Sequence, residues 1–136
     1  MKHPILLGYQ LLTGFSDTAT GALLIAAPAL MLRLMRLHVS ADAIPFLSFI
    51  GAFVLSVGLS CLYGGLLVGR AGCVPRLESV WLLTAITRSA VAVFVVSNVL
   101  AGTLETGWLS VALCDGACAV IQASGLRKGW LLHAAR

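Results

Sequence analysis

The stretch LESVWLLTAITRSAVAVFVVSNVLA, Leu77–Ala101, limits the fold of this chain more than any other. At 1.5 Å per residue a helix of that length crosses the roughly 30 Å hydrocarbon core of a bilayer. After Glu78 its one full charge is Arg88, near the middle. An arginine at that depth costs about 2.5–3.5 kcal/mol on insertion scales, so it has to face a partner, water or a ligand. Two other apolar stretches carry an aspartate at a comparable depth, Asp17 and Asp115. The chain therefore reads as a helical bundle assembled around a buried charged layer.

Composition agrees with a single membrane domain. Of 136 residues, 60% are hydrophobic and 10% charged, against roughly a quarter charged in soluble domains. The net charge is +4, but the basic residues gather at the ends of apolar runs. They serve topology and headgroup contact, and with no basic stripe or aromatic platform a nucleic-acid partner is not expected. The bilayer is the expected partner. Cys61, Cys73, Cys114 and Cys118 read as small buried packing residues. Cys114 and Cys118, four apart on one helical face, suit neither a mutual disulfide nor a redox pair. His3, His38 and His133 all fall outside the apolar runs. No intramembrane histidine pair is left for haem, and no metal or cofactor is expected.

The first run, about residues 5–28, follows Lys2 and His3, which imitate the start of a secretory signal, with small residues at Thr20–Ala22. Ser16, Asp17 and Thr18 interrupt that pattern and apolar sequence continues beyond it, so residues 1–22 are read as part of an uncleaved span. Gln10, Thr13, Gly14, Asp17, Thr20, Gly21 and Leu24 recur at helical spacing and should face other helices. Pro28 ends or kinks this helix. Residues 29–38, with Arg33 and Arg36 sharing one side among Leu and Met, predict a short amphipathic helix in the interface. Ser40–Pro45 supplies turn and cap residues.

The second span is about residues 44–69, where Gly51, Gly58, Gly65 and Gly72 recur every seven residues as a packing seam. The third, residues 77–101, opens with Glu78 and Trp81, placed near the interface. The turn around Leu104-Glu105-Thr106 makes the third and fourth spans antiparallel neighbours. The fourth, about residues 107–126, begins at Trp108 and carries Asp115 and Gln122 on one face, with a seam of Ala112, Gly116, Ala119 and Ala123. The fold expected is an all-α, up-down-up-down bundle of four transmembrane helices. Lys2, Arg70, Arg76, Arg127, Lys128 and Arg136 fall on one side and Arg33 and Arg36 on the other. That asymmetry predicts a multi-pass protein of the cell (inner) membrane with both termini cytoplasmic.

A glycine-rich first span ended by Pro28, the amphipathic LMLRLMRL, a glycine-seamed second span, an arginine in the third and Asp115-Gly116 in the fourth form a recognisable order. In that order the chain resembles small bacterial four-helix integral membrane proteins of unknown function of the DoxX-like type. The resemblance implies the four-helix fold and little chemistry. Small multidrug transporters also have four spans and an acidic residue in the first, matched by Asp17, but do not centre on an arginine in the third.

Asp17, Arg88 and Asp115 from three helices at one level form the candidate site, which Gln10, Thr13, Thr84, Thr87, Asn98 and Gln122 could extend, although threonines more often bond their own helix. With both aspartates ionised the layer carries −1 + 1 − 1 = −1, so it should retain a proton or admit a cationic group. Register fixing alone remains open. The leading functional reading is a lipid-like or small amphiphilic ligand held between the helices. An intramembrane acid–base enzyme acting on an apolar substrate, with Asp17 and Asp115 as catalytic candidates, is one alternative. A proton-coupled small-molecule transporter, necessarily a homo-oligomer, is the other. No nucleophile elbow, metal set or phosphate loop points to a more familiar enzyme.

Overall fold

The computed structural model describes residues 3–134, so Lys2 and Arg136 of the topology argument lie outside the described residues. Six helices follow one another: α1 (His3–Ala26), α2 (Pro28–Met35), α3 (Ile44–Leu67), α4 (Val74–Leu100), α5 (Leu109–Arg127) and α6 (Trp130–Ala134). Among the described residues there is no strand. Pro28, Pro45 and Pro75 sit in the first turns of α2, α3 and α4, where a missing N–H costs nothing. Gly69, Gly102 and Gly129 follow α3, α4 and α5 with φ of 79°, 74° and 63°, the left-handed geometry that lets a helix stop abruptly. Ser40 does not cap the next start through its side chain; a short 3₁₀ turn, Ala41–Ala43, leads into α3 instead.

The segments Ala41–Leu67, Val74–Leu100 and Thr106–Arg127 are each long and apolar enough to cross a membrane, which is the build of a membrane protein. Their outer surfaces agree. Phe46, Phe49, Phe53, Leu66, Leu83 and Phe94 are all more than half exposed. α1, at 24 residues, equals α3 in length but is not among the three. Its polar residues lie on the inner side. Gln10, Gly14, Gly21 and Leu24 are buried and Thr13, Asp17 and Thr20 half-buried, as expected of that face. Leu12, Phe15 and Ile5 form its exposed side.

α1 and α3 pack antiparallel at backbone distance. A Cβ on Gly14 would meet the backbone nitrogen of Leu62 at 2.9 Å, and one on Gly51 the Leu24 Cβ at 2.7 Å. Cβ atoms on Gly21 and Gly58 would run into the backbones of Leu55 and Thr18. In lipid, where apolar burial does not drive association, such close approach supplies the contact. The expected seam needs two corrections. Gly72 lies outside α3 in open space, so its seven-residue spacing carries no packing. Gly65 makes only ordinary contact, 3.5 Å from Leu11, whereas neighbouring Gly64 makes room for the Gln10 amide.

α4 and α5 form the expected antiparallel hairpin, with Ala112, Ala119, Gln122 and Gly125 buried on α5. Ala123 is exposed and drops out of the seam. Trp81 is no interfacial anchor. It is fully buried, packed at a tilt of 56° on Tyr9 (5.5 Å between ring centroids) and against Gly125 in a cluster with Leu6, Leu77 and Leu131. A second cluster of Leu32, Leu37 and Leu47, joined by Trp108, closes the other end. The short amphipathic helix is smaller than expected, ending at Met35. Arg36 lies beyond it in a left-handed conformation and does not share a helical face with Arg33. Of the cysteines only Cys61 is buried; Cys114 is exposed, so packing does not account for it.

Replacing Gly58 by Leu should cost about 3 kcal/mol, because backbone, unlike a flexible side chain, cannot move aside. Leu59→Ala, on the 52%-exposed neighbour, should change stability by about 0.5 kcal/mol or less. Thermal unfolding of both variants in detergent measures the contrast. Equal losses would place the glycine seam toward lipid.

Candidate functional site

Arg88 is the fifteenth residue of α4, at the helix midpoint, and is 4% exposed. Its Nη1 donates to Asp115 Oδ1 at 2.6 Å, and its Nη2 donates to Asp17 Oδ2. One guanidinium thus ties α4 to α5 and to α1 through two separate nitrogens. The expected layer exists, and its three members meet. The two carboxylates are 20% and 19% exposed, so the anionic ends reach the flank of the bundle while the cation stays inside. α3 adds no charge. It brings Cys61, a buried thiol close to Arg88 and Thr13, to the same level.

A second polar level lies one heptad away. Gln10, Trp81 and Gln122 each stand seven residues from Asp17, Arg88 and Asp115 respectively. α1 and α4 run in the same direction and α5 runs opposite, so all three steps lead toward the same end of the bundle, about 10 Å along the axis. All three side chains are fully buried. Gln122 Nε2 donates to Thr84 Oγ1 at 2.8 Å, and Thr84 donates in turn to the Val80 carbonyl at 2.7 Å. Among the described residues, no partner meets Gln10 Nε2, Gln10 Oε1, Trp81 Nε1, Gln122 Oε1 or Arg88 Nε. Each buried polar group left so costs about 1–3 kcal/mol. Taken together these atoms offer donors from Gln10, Trp81 and Arg88 and acceptors from Gln10 and Gln122, which complement a hydroxyl or carbonyl.

The remaining candidates divide. Thr13 spends its hydroxyl on the Tyr9 carbonyl (2.8 Å) and Thr87 on Leu83 (3.0 Å), each within its own helix. Asn98 is half-buried, bonded to the Phe94 carbonyl and to Thr103 beyond the helix end. Thr84 and Gln122 belong to the inner network; Thr87 and Asn98 do not. Sequence reasoning missed Trp81, Tyr9 and Cys61. Trp81 was open to discovery, since seven residues before Arg88 lies the same helical face. Tyr9, whose hydroxyl donates to the Cys118 carbonyl at 3.4 Å, and Cys61 carry no such signal.

Among the described residues no group of histidine, cysteine and carboxylate side chains is placed to hold a metal ion. No protein-family model, curated protein or solved structure matches the chain.

Removing Arg88 should destabilise the protein strongly, since taking one partner from a buried pair costs about 3–5 kcal/mol. Arg88→Met is therefore expected to unfold many degrees below the parent in detergent. Asp17→Asn leaves Arg88 its bond to Asp115 and should lose less than half as much. Similar losses from both variants would mean that the two carboxylates do not share one cation.

Proposed function

We propose that this is a four-span protein of the cell membrane, both termini cytoplasmic, that holds a lipid-like or small amphiphilic molecule between its helices. The observation that carries the reading is the neutral polar level. Three fully buried side chains, each one heptad from the charged layer on its own helix, carry donors and acceptors that have no partner among the described residues. A polar head bearing a hydroxyl satisfies them, accepting from Trp81 Nε1 and the Gln10 amide and donating to Gln122 Oε1. Its apolar remainder suits a site reached from the bilayer. The charged layer beside it sets the register of the three helices and leaves Arg88 Nε directed to no protein acceptor.

α1 is the fourth span in this reading. Its outward side is apolar, its antiparallel contact with α3 continues past Gly14 and Gly21, and Asp17 reaches an arginine at mid-depth of α4. The architecture is also what the resemblance to DoxX-like proteins implies. One observation favours a second reading, proton-coupled transport by an oligomer. The carboxylates are a fifth exposed and outnumber the one cation they share, so the layer has a place for a proton. The acid–base enzyme is supported less, since both carboxylates are engaged by the same guanidinium.

Native mass spectrometry of protein purified in mild detergent tests the site. A co-purifying small apolar adduct is expected on the parent and should be absent from Gln10→Leu, which should be no less stable than the parent, because leucine leaves no amide atoms without partners. An adduct retained by Gln10→Leu, or none on the parent, would defeat the reading. Topology has its own measurement. Reporter fusions after Asp42 and at Arg136 should report opposite sides of the membrane, because three spans separate the two points, with Arg136 on the cytoplasmic side by the positive-inside rule.

A further inference from the structure

At the end of the bundle away from the two termini, α2 and the start of α3 enclose an open groove of about 590 Å³. Its floor is apolar, formed by Leu32, Leu37, Val39 and Ile44, and its basic side chains are Arg33, Arg36 and His38. No carboxylate lines it. Glu105 stands outside, where its carboxylate accepts from the His38 backbone N–H at 3.4 Å and lies 4.0 Å from the imidazole. Among the described residues neither arginine pairs with a carboxylate.

The backbone here is held in a form that its sequence does not favour. Arg36 N–H bonds to the Arg33 carbonyl at 3.1 Å and Leu37 N–H to the Leu32 carbonyl at 2.9 Å. This pair of bonds is the Schellman ending of a helix, whose left-handed residue is usually glycine. Here that residue is Arg36, with φ 55°, the one non-glycine residue of positive φ among those described. A left-handed residue bearing a Cβ costs about 1–2 kcal/mol. Strain of this kind is kept where surrounding packing enforces it and function uses it. The packing is plain: Leu32 and Leu37, either side of the turn, are buried with Leu47. The turn thereby sets two arginines, three residues apart in sequence, on one groove.

We propose that this groove binds the phosphate of an anionic phospholipid, with Arg33 and Arg36 on the headgroup and an acyl chain along the apolar floor. Charge complementarity selects the head, and the wall of Leu32, Val39 and Ile44 selects a lipid over a soluble anion. The groove lies where α3 begins, the depth at which headgroups meet the end of a span. The site also accounts for the two basic residues on the side that the charge asymmetry leaves poor in them. It is independent of the site between the helices.

The test uses purified full-length protein in neutral detergent, titrated with dioleoylphosphatidylglycerol, dioleoylphosphatidylcholine or inorganic phosphate and read by native mass spectrometry. Phosphatidylglycerol should bind about tenfold or more tightly than phosphatidylcholine, and Arg33→Gln or Arg36→Gly should each weaken it about fivefold. Arg36→Gly removes the cation and relieves the left-handed strain, so its melting temperature should match or exceed that of the parent. Arg70→Gln with Arg76→Gln, exposed at the opposite end, should leave phosphatidylglycerol binding unchanged. Equal binding of the two lipids, parent-like binding by Arg36→Gly, or an equal loss in the Arg70/Arg76 variant would overturn the proposal. Inorganic phosphate displacing the lipid at comparable concentration would overturn it as well, by assigning the groove to a free anion.

Discussion

One guanidinium holding two carboxylates from different helices is the interaction on which the rest depends. In an apolar surrounding Arg88 cannot stand alone, and neither can Asp17 or Asp115. Each is tolerable only where the others are, so α1, α4 and α5 have one vertical register and no neighbouring one. A slip of one turn, about 5.4 Å, would break both ion pairs together. The layer thus does for this bundle what a buried polar residue does for a coiled coil, specifying an arrangement more than adding to its stability.

α3 takes no part in the charge network, and that explains how it is built. A helix gains little in lipid from apolar surface alone, so this one is held by backbone proximity, to which Ser48 Oγ adds one bond, donating to the Leu24 carbonyl of α1 at 3.2 Å. Gly51 and Gly58 on α3, with Gly14 and Gly21 on α1, bring the two backbones together. The close pairing in turn lets α1 be as polar as it is, because Gln10, Thr13 and Asp17 are covered on one flank by α3 and face α4 and α5 on the other. Charge fixes three helices; glycine fixes the fourth to one of them.

Much of this was legible in the residues. The inward face of α1 could be read position by position, because a periodic polar pattern in an apolar helix has one physical outlet. The Asp17–Arg88–Asp115 meeting followed from the cost of isolated charge. Where the reading failed, a general tendency stood in for a specific neighbour. Trp81 was assigned to the interface by the usual habit of tryptophan, yet Gly125 opens a space for its ring inside the bundle. Gly72 matched a seven-residue repeat whose helix had already ended at Leu67. Arg36 looked helical because nothing in a run of Leu, Met and Arg announces a left-handed turn; the buried Leu32 and Leu37 impose it. Cys114, counted as a packing residue by type, is on the exposed side of α5.

The neutral level at Gln10, Trp81 and Gln122 is the part of the interior that helix packing does not explain. Register is already secured by the charged layer, and a second specifying layer would need its members bonded to one another. They are not: Gln122 bonds Thr84, while both amide atoms of Gln10 lack a partner among the described residues. At about 1–3 kcal/mol per unsatisfied buried group, leucine at position 10 would make a steadier bundle than glutamine. Gly64 adds to the point, since the Gln10 amide occupies the space that a side chain on that residue would take. Two residues from two helices are thus matched around an amide that contributes nothing to holding those helices together. A buried amide kept at a cost, seated against a glycine and one heptad from a charged layer, is the feature on which the proposed recognition of an amphiphile rests, since a bound hydroxyl would make the hydrogen bonds it lacks.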